Sequence, residues 1–172
     1  MNLLETMKSR RNTKRFKPVP IDEESLKRVL SAGRLAPTTD NLQPWRLILV
    51  RDDNVKRRIA AACGNVKFIA EAPIIIVACG IPDEAYPLVG GFLNSYPIDV
   101  SSVMTHITLQ ATAEGLGTYW VYYFKEEKIS EILEVPLEVK VVSLTPLGYP
   151  EGEQEKCEGQ NVSELVMYDR YG

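Results

Sequence analysis

Apolar residues at helical spacing predict two helices near the start of the chain. The first covers residues 2–9, where Leu3, Leu4 and Met7 fall on one side. The second begins after Asp22, whose carboxylate can accept hydrogen bonds from backbone N–H groups of the first turn, and it runs to about residue 35. The side of this helix that faces the core is predicted to consist of Leu26, Val29, Leu30 and Leu35.

Runs of β-branched and aromatic residues predict strands farther along. Residues 74–79 form an uninterrupted apolar run, which is typical of a central strand covered on both faces. Other strands are predicted over residues 45–50, over 118–123, and from 140 towards Gly148. Two helices lie between them, one capped by Asp52 or Asp53 and ended by Gly64, the other over residues 125–133.

A long helix is predicted from an N-cap at Asp99 to Glu114, where Gly115 ends it. Its apolar residues spread round several faces, and no charge interrupts them between the two ends. Because a chain of this size rarely buries a helix on all sides, the pattern predicts a homodimer whose core contains this helix. The apolar residues 165–168 near the end of the chain also need a surface on which to pack.

The segment 80–97 is rich in prolines, glycines and aromatic residues, which predicts a loop. It is either a lid over a pocket or a surface loop held down by its own aromatic side chains.

The length of 172 residues and an apolar content of 45 % predict one domain that covers residues 1–172. A net charge of −3 argues against nucleic acid as a partner. No apolar run reaches the ~18 residues that a membrane span needs, and residues 1–14 are charged, so we expect no membrane association and a cytoplasmic location.

Side-chain catalysis and metal binding find little support in the sequence. Cys63, Cys79 and Cys157 are widely separated and His106 is the only histidine, which argues against a disulfide framework and a metal site. No G-x-S-x-G motif or paired acid and base is present, so no catalytic side chain is assigned. If the protein is an enzyme, a bound cofactor carries the reaction.

Two segments are candidate binding elements. Residues 10–15 contain four basic side chains, which form either a solvated face or a site for a phosphate group. Residues 36–45 place hydroxyl and amide side chains between Pro37 and Pro44, a rigid arrangement that suits a flat heterocycle with a polar edge. An ordinary connection between two elements is the alternative.

Four segments together resemble the nitroreductase family of FMN-dependent oxidoreductases, in the order and at about the spacing of that family. They are residues 10–16, 36–45, 113–120 and 147–150. The resemblance implies an α+β fold in which helices flank a mixed β-sheet, and a homodimer with two FMN sites at its interface. NADH or NADPH would give a hydride to flavin N5, and a nitroaromatic, quinone or similar small acceptor would then take the electrons in a ping-pong reaction.

The resemblance also implies the cofactor-binding residues. The phosphate and ribityl chain would contact Arg10, Arg11, Asn12 and Lys14. The partner subunit would contribute Pro37, Thr38, Thr39, Asn41 and Gln43. Backbone groups of Trp120, Val121, Tyr122 and Tyr123 would contact the isoalloxazine, and Asn65 matches a less constant flavin contact of the family.

Two departures from the family pattern keep alternatives open. Tyr122 and Tyr123 stand where family members often have small residues, and a basic residue usual before the last apolar patch is missing near Gly159. A flavin-binding or flavin-storing protein without enzymatic activity, or a dehalogenase-like member of the same fold, is therefore the alternative.

Overall fold

The computed structural model of the protein describes residues 2–156 and 159–171. Its helices are α1 (Leu3–Ser9), α2 (Glu23–Arg34), α3 (Asp53–Ala62), α4 (Phe68–Glu71), α5 (Tyr96–Ala113), α6 (Glu126–Leu133) and α7 (Val162–Leu165). Its strands are β1 (Arg11–Asn12), β2 (Trp45–Val50), β3 (Ile74–Gly80), β4 (Gly117–Thr118), β5 (Lys140–Gly148) and β6 (Glu155–Lys156). Short 3₁₀ turns cover Thr39–Asn41 and Pro82–Glu84.

The strands form one mixed sheet in the order β2-β3-β5-β4-β1-β6. Strands β1 and β4 are parallel, and the other neighbouring pairs are antiparallel. Alternate residues of β3 point to opposite faces, so Ile74 and Ile76 pack with α2 and α5, whereas Ile75 and Val77 pack with α3, α4 and α6. Helices therefore cover both faces, which confirms the predicted fold class and the central position of this strand.

Capping carboxylates account for where α2 and α3 begin. The Asp22 carboxylate accepts a hydrogen bond from the backbone N–H of Ser25 at 2.8 Å, and Asp52 accepts two from the first turn of α3. Leu26 and Val29 are buried as predicted. Leu35 is 71 % exposed, so its assignment to the buried side was wrong. It lies at the C-cap, just beyond the last helical residue Arg34.

Helix α5 begins at Tyr96, and the prediction that Asp99 caps it was wrong. The Asp99 backbone N–H already donates to the Ser95 carbonyl at 2.9 Å, because proline is tolerated in the first turn and Pro97 does not delay the helix. The buried Asp99 carboxylate instead accepts hydrogen bonds from the backbone N–H of Thr39 at 2.7 Å, the Thr39 hydroxyl at 3.1 Å and the Ser95 hydroxyl at 2.7 Å. It ties the loop 36–45 to the start of α5.

Replacing Asp99 by alanine is expected to lower the free energy of unfolding by ~2–3 kcal/mol, because the groups that donate to it lose their acceptor inside the protein. Urea unfolding at neutral pH measures the change, with Asp83→Ala on the exposed turn as the control that should stay within ~0.5 kcal/mol. Equal stability of the two variants would show that this network does not hold the loop.

One side of α5 is covered within a single chain. Val100, Val103, Met104 and Ile107 are fully buried against α2 and the sheet. Ile98 of the same helix is 45 % exposed and Leu109 is half-buried, so the predicted contact of α5 with a partner subunit stays a prediction. Several other exposed apolar residues lie on α1 and in the C-terminal segment, at Leu3, Leu4, Met7, Val162, Leu165, Val166, Met167, Tyr168 and Tyr171.

The strand predicted over residues 118–123 is shorter in the structure. β4 ends at Thr118, and the Tyr119 backbone N–H donates to the Thr145 hydroxyl at 3.0 Å instead of to a strand carbonyl. Only Val121 returns to the sheet, through a single bridge to Leu144. The aromatic residues of this segment are therefore free to turn away from the sheet and line cavities.

The loop 81–95 is held partly by its own polar contacts. The Tyr86 backbone N–H donates to the Ser95 hydroxyl, and the Asn94 amide donates to the Pro82 carbonyl. Phe92 is 82 % exposed. This loop lines neither of the two cavities described below, so nothing in one chain makes it their lid.

Among the described residues, no helix combines the length and apolar character that crossing a bilayer requires.

Candidate functional site

A cavity of about 390 Å³ lies where α1, α5 and the end of β4 meet, and we name it the Arg10 cavity. Strand β1 continues from α1, and its alternation directs Arg10 and Asn12 to the same side, with the Arg10 guanidinium 3.4 Å from the Asn12 amide oxygen. The cavity is lined by Arg10, Asn12, Thr105, Thr108, Leu109, Thr118, Tyr119, Trp120 and Tyr122. One end thus carries a cation and hydroxyl groups, and the other carries aromatic rings.

The close approach of β1 and β4 sets the shape of this cavity. The Thr13 backbone N–H donates to the Thr118 carbonyl at 2.9 Å, and Asn12 pairs with Thr118. A Cβ atom at Gly117 would collide with the Thr13 side chain. Glycine at this position is therefore required for the parallel pair that brings Arg10 next to the aromatic segment.

Lys14 adds a second positive charge near the aromatic end. Its Nζ lies 5.9 Å from the centre of the Tyr119 ring. At this distance the ammonium is within reach of the negative face of the ring, and Tyr119 is part of the cavity wall.

The structure does not bring Arg11 into the Arg10 cavity. Its guanidinium donates to the carbonyls of Lys8 at 2.7 Å and Arg10 at 2.9 Å, which satisfies carbonyls at the end of α1. Arg11 lines a separate small cavity together with Ser9 and Thr13. Strand alternation therefore separates two neighbouring arginines that look equivalent in the sequence.

The polar loop 36–45 is held by its own hydrogen bonds and does not line the Arg10 cavity within one chain. The Gln43 amide donates to both the Thr38 hydroxyl and the Asn41 amide oxygen at 3.0 Å and accepts from the Trp45 indole at 2.7 Å. Thr39 is anchored at Asp99 in the first turn of α5. Thr105 and Thr108, which line the cavity, lie six and nine residues later, ~9 and ~13 Å along the helix axis.

A second cavity of about 280 Å³ shares a wall with the first, and we name it the Cys63 cavity. It is lined by Cys63, Val66, Phe68, Ile69, Tyr119, Trp120, Val121, Tyr122 and Tyr123. The rings of Trp120 and Tyr122 are stacked, with centroids 5.8 Å apart and planes at 11°, and both belong to both cavities. Tyr123 lies over Gly64 and lines only the Cys63 cavity.

Asn65 lies in neither cavity. It has a left-handed backbone with φ of 60° and faces a third, open cavity with Arg57, Lys67 and Glu71. Of the predicted site residues, the structure thus groups Arg10, Asn12, Trp120 and Tyr122 round one cavity. Lys14 is linked to them through Tyr119, and the other predicted residues lie elsewhere in the chain.

Burial raises the pKa of the Cys63 thiol to about 11 and that of Cys79 to the same value. Both are free and buried, so they are neutral thiols at physiological pH. Cys157 lies outside the described residues.

Within residues 2–156 and 159–171, no three His, Cys, Asp or Glu side chains are placed to hold a metal ion. His106 contacts the Ala32 carbonyl through Nδ1 at 3.3 Å.

The sequence profile of the Nitroreductase family matches the chain in two overlapping parts, residues 7–78 and 61–149. The chain belongs to the nitroreductase family. These parts include β1, the polar loop, α5 and the aromatic segment after β4, so every residue that lines the two cavities falls within the match.

Relatives of this nitroreductase family member support the same assignment. A protein of Archaeoglobus fulgidus named putative NADH dehydrogenase/NAD(P)H nitroreductase is 29 % identical over 167 residues, which are 92 % of this chain and 91 % of the relative. The crystal structure of a nitroreductase family protein from Clostridium difficile 630 is 30 % identical and covers 99 % of this chain and 100 % of its own, with a TM-score of 0.89. The FMN reductase [NAD(P)H] of Bacillus subtilis is 22 % identical over 163 residues, 86 % of this chain and 66 % of that protein.

Sequence reasoning missed the cavity residues on α5. Thr105 lies one helical turn before Thr108 and Leu109, and all three face the Arg10 cavity. The available signal was a row of threonines at positions 105, 108 and 112 in a helix without charges. We interpreted the whole helix as apolar, and the row of hydroxyl groups was overlooked.

Proposed function

We propose that this nitroreductase family member is an FMN-dependent oxidoreductase that uses NADH or NADPH to reduce a nitroaromatic, a quinone or a similar small acceptor in a ping-pong reaction. The observation that carries the proposal is the Arg10 cavity, in which a guanidinium, hydroxyl groups and aromatic rings follow one another. The names of the relatives from Archaeoglobus fulgidus and Bacillus subtilis support an oxidoreductase that uses NAD(P)H and flavin.

The residues of the Arg10 cavity fit FMN in the order of its chemical groups. The Arg10 guanidinium suits the phosphate, because a fork of N–H donors matches phosphate oxygens. Asn12 and the threonine hydroxyls of α5 suit the ribityl hydroxyls. Trp120 and Tyr119 offer flat faces for the isoalloxazine. A volume of about 390 Å³ is within the ~300–1,000 Å³ that is typical of small-molecule sites.

When bound, FMN supplies the chemistry that this set of side chains lacks, namely the acceptance and donation of two electrons. The protein binds and orients it. We assign Lys14 and the backbone N–H groups of the segment after Trp120 as donors to the edge of the ring that becomes negative on reduction, since donors fixed in advance stabilise such charge at little cost in reorganisation. Arg11, Asn65, Val121 and Tyr123 line other cavities, so we assign them no cofactor contact.

We further propose a homodimer in which the loop 36–45 completes the site of the partner subunit. Within one chain this loop does not line the Arg10 cavity, yet it presents preordered amide and hydroxyl groups at Thr38, Thr39, Asn41 and Gln43, next to the exposed Pro37. The exposed apolar side chains of α1 and of residues 162–171 provide apolar surface that a partner subunit would bury.

Titration with FMN and with FAD, followed by NADH oxidation with and without 1,4-naphthoquinone, tests the proposal. We expect micromolar or tighter FMN binding, at least tenfold weaker FAD binding because the cationic end of the cavity accommodates one phosphate, and NADH oxidation that requires FMN and increases with the quinone. A protein that binds FMN without oxidising NADH or NADPH would be a flavin-binding protein instead. Failure to bind FMN would reject the flavin function altogether.

A further inference from the structure

The backbone of the polar loop 36–45 is strained. Asp40, Asn41 and Gln43 have φ angles of 49°, 56° and 53°, in the left-handed region that residues other than glycine rarely adopt. Aspartate and asparagine tolerate this region better than glutamine does. Strained backbone of this kind persists only where the surrounding structure imposes it, and it is concentrated at sites that bind ligands. The loop therefore needs contacts that anchor it to the rest of the chain.

Hydrogen bonds inside the loop fix its side chains relative to one another. The Gln43 backbone N–H and side-chain amide both donate to the Thr38 hydroxyl, at 3.2 and 3.0 Å, and the same amide donates to the Asn41 side-chain oxygen. At the end of the loop, the Ile81 backbone N–H donates to the Pro44 carbonyl at 2.9 Å and ties that end to the sheet. The strained middle of the loop needs a separate anchor on its other side.

The buried carboxylate of Asp99 is that anchor. Its Oδ1 accepts hydrogen bonds from both the backbone N–H and the hydroxyl of Thr39, and its Oδ2 accepts one from the Ser95 hydroxyl. The Ser95 hydroxyl in turn accepts from the Tyr86 backbone N–H at 3.0 Å, which holds the carboxylate from the side away from the loop. Because Thr39 directly precedes the strained residue Asp40, Asp99 fixes the chain at the point where the left-handed backbone begins.

We propose that Asp99 is a positioning residue for the cofactor site of the partner subunit. Through Thr39 it holds the loop in the strained conformation that presents Asn41 and Gln43 to the FMN bound by the partner subunit's Arg10. The inference rests on the proposed function and adds to it a residue that itself touches no cofactor. Without this anchor the loop has to become ordered when FMN binds, and that ordering lowers the affinity.

Titration of Asp99→Ala with FMN, followed by flavin fluorescence, is the first test, and Ile59→Ala is its control. Ile59 is fully buried on the other face of the sheet and lines neither cavity, so its loss lowers stability without touching the loop. With both variants shown to be folded, we expect FMN affinity at least tenfold weaker in Asp99→Ala and within about threefold of wild type in Ile59→Ala. Equal affinities in the two variants would overturn the inference. Asp99→Asn and Ile59→Val are the milder pair if either alanine variant does not fold, and there we expect at least a threefold difference.

A mixed dimer of Asp99→Ala and Arg10→Glu subunits shows in which subunit Asp99 acts. We expect half of the wild-type FMN stoichiometry with near wild-type affinity, because the intact loop of the Arg10→Glu subunit completes the site that contains the wild-type Arg10. A residue that acted only through the stability of its own chain would weaken that site as well. Failure of this mixed dimer, when the mixed dimer of Arg10→Glu and Asn41→Leu subunits restores binding, would overturn the inference. Failure of both would reject the shared site and the inference with it.

Amide hydrogen exchange in the FMN-free protein separates this inference from the proposed function. The backbone N–H groups of Asn41, Leu42 and Gln43 all donate to acceptors inside the loop, so their exchange reports whether the loop opens. We expect exchange at least tenfold faster in Asp99→Ala than in Ile59→Ala. If the wild type binds no FMN, the proposed function fails, yet this measurement still decides whether Asp99 holds the loop. Equal exchange in the two variants would overturn the inference in either case.

Discussion

Replacing Arg10 by glutamine is expected to weaken FMN binding about 10- to 150-fold, whereas the same change at Arg11 should leave the affinity within about threefold. The loss corresponds to one charge-assisted hydrogen bond of roughly 1.5–3 kcal/mol. Arg10 lines the proposed cofactor cavity, and Arg11 donates to the carbonyls of Lys8 and Arg10 on the other side of β1. Equilibrium titration monitored by flavin fluorescence measures both affinities.

The two arginines form a matched pair, since they are adjacent, equally charged and replaced by the same residue. Thermal unfolding of both variants in the absence of FMN checks that neither substitution acts through stability. Equal losses of FMN affinity at the two positions would show that the whole basic segment binds the phosphate, and not Arg10 alone. A loss of affinity only in the Arg11 variant would indicate that the phosphate binds on the opposite side of the strand.

Mixing Arg10→Glu and Asn41→Leu subunits is expected to restore half of the wild-type FMN stoichiometry with near wild-type affinity, although each homodimer should bind poorly. Arg10→Glu removes a phosphate partner and adds repulsion. Asn41→Leu leaves polar groups of the cofactor unpaired, at a cost of about 1–3 kcal/mol. If each site combines Arg10 from one chain with Asn41 from the other, the heterodimer has one site with both defects and one with neither.

Two different affinity tags allow the heterodimer to be isolated after the variants are unfolded together and refolded. The control is a mixture of the two folded homodimers that have not been unfolded. If subunits exchange slowly, this mixture should bind FMN as poorly as the separate homodimers. A heterodimer that binds no better than its parents would place both residues in the same site of one chain and reject the shared site.

The elements predicted best from the sequence are those fixed by neighbours in the chain. Asp22 and Asp52 cap α2 and α3 through hydrogen bonds to residues two or three positions away, so the signal lies in a few consecutive letters. The uninterrupted apolar run of β3 is similarly local, because burial on both faces removes any polar alternation. These features gave the positions of single helices and strands, whereas the mixed sheet flanked by helices was predicted from the family resemblance.

The errors arose where distant residues decide the structure. In its sequence context Asp99 looks like an N-cap. Its carboxylate oxygens, however, accept hydrogen bonds from Thr39, sixty residues earlier, and from Ser95. The separation of Arg10 from Arg11 depends on the pairing of β1 with β4, which residue spacing does not reveal. The shortened strand after Thr118 has the same origin, since the Thr145 hydroxyl replaces a backbone acceptor there.

The candidate site was therefore predicted in part. The family resemblance identified the basic segment, the polar loop and the aromatic segment, and the structure brings the first and third together round the Arg10 cavity. Resemblance alone did not indicate that Tyr122 and Trp120 divide the space into two cavities, because that division depends on side chains in which this chain departs from the family pattern.

Anaerobic reduction of the FMN-loaded protein tests the central claim most directly. The protein is saturated with FMN, freed of excess cofactor by gel filtration, and mixed with a stoichiometric amount of NADH or NADPH while the visible flavin band is recorded. We predict that one of the two nucleotides bleaches the band and that 1,4-naphthoquinone then restores it without further nucleotide. A band that persists with both nucleotides, or no band after saturation with FMN, would contradict the assignment of this protein as an FMN-dependent oxidoreductase.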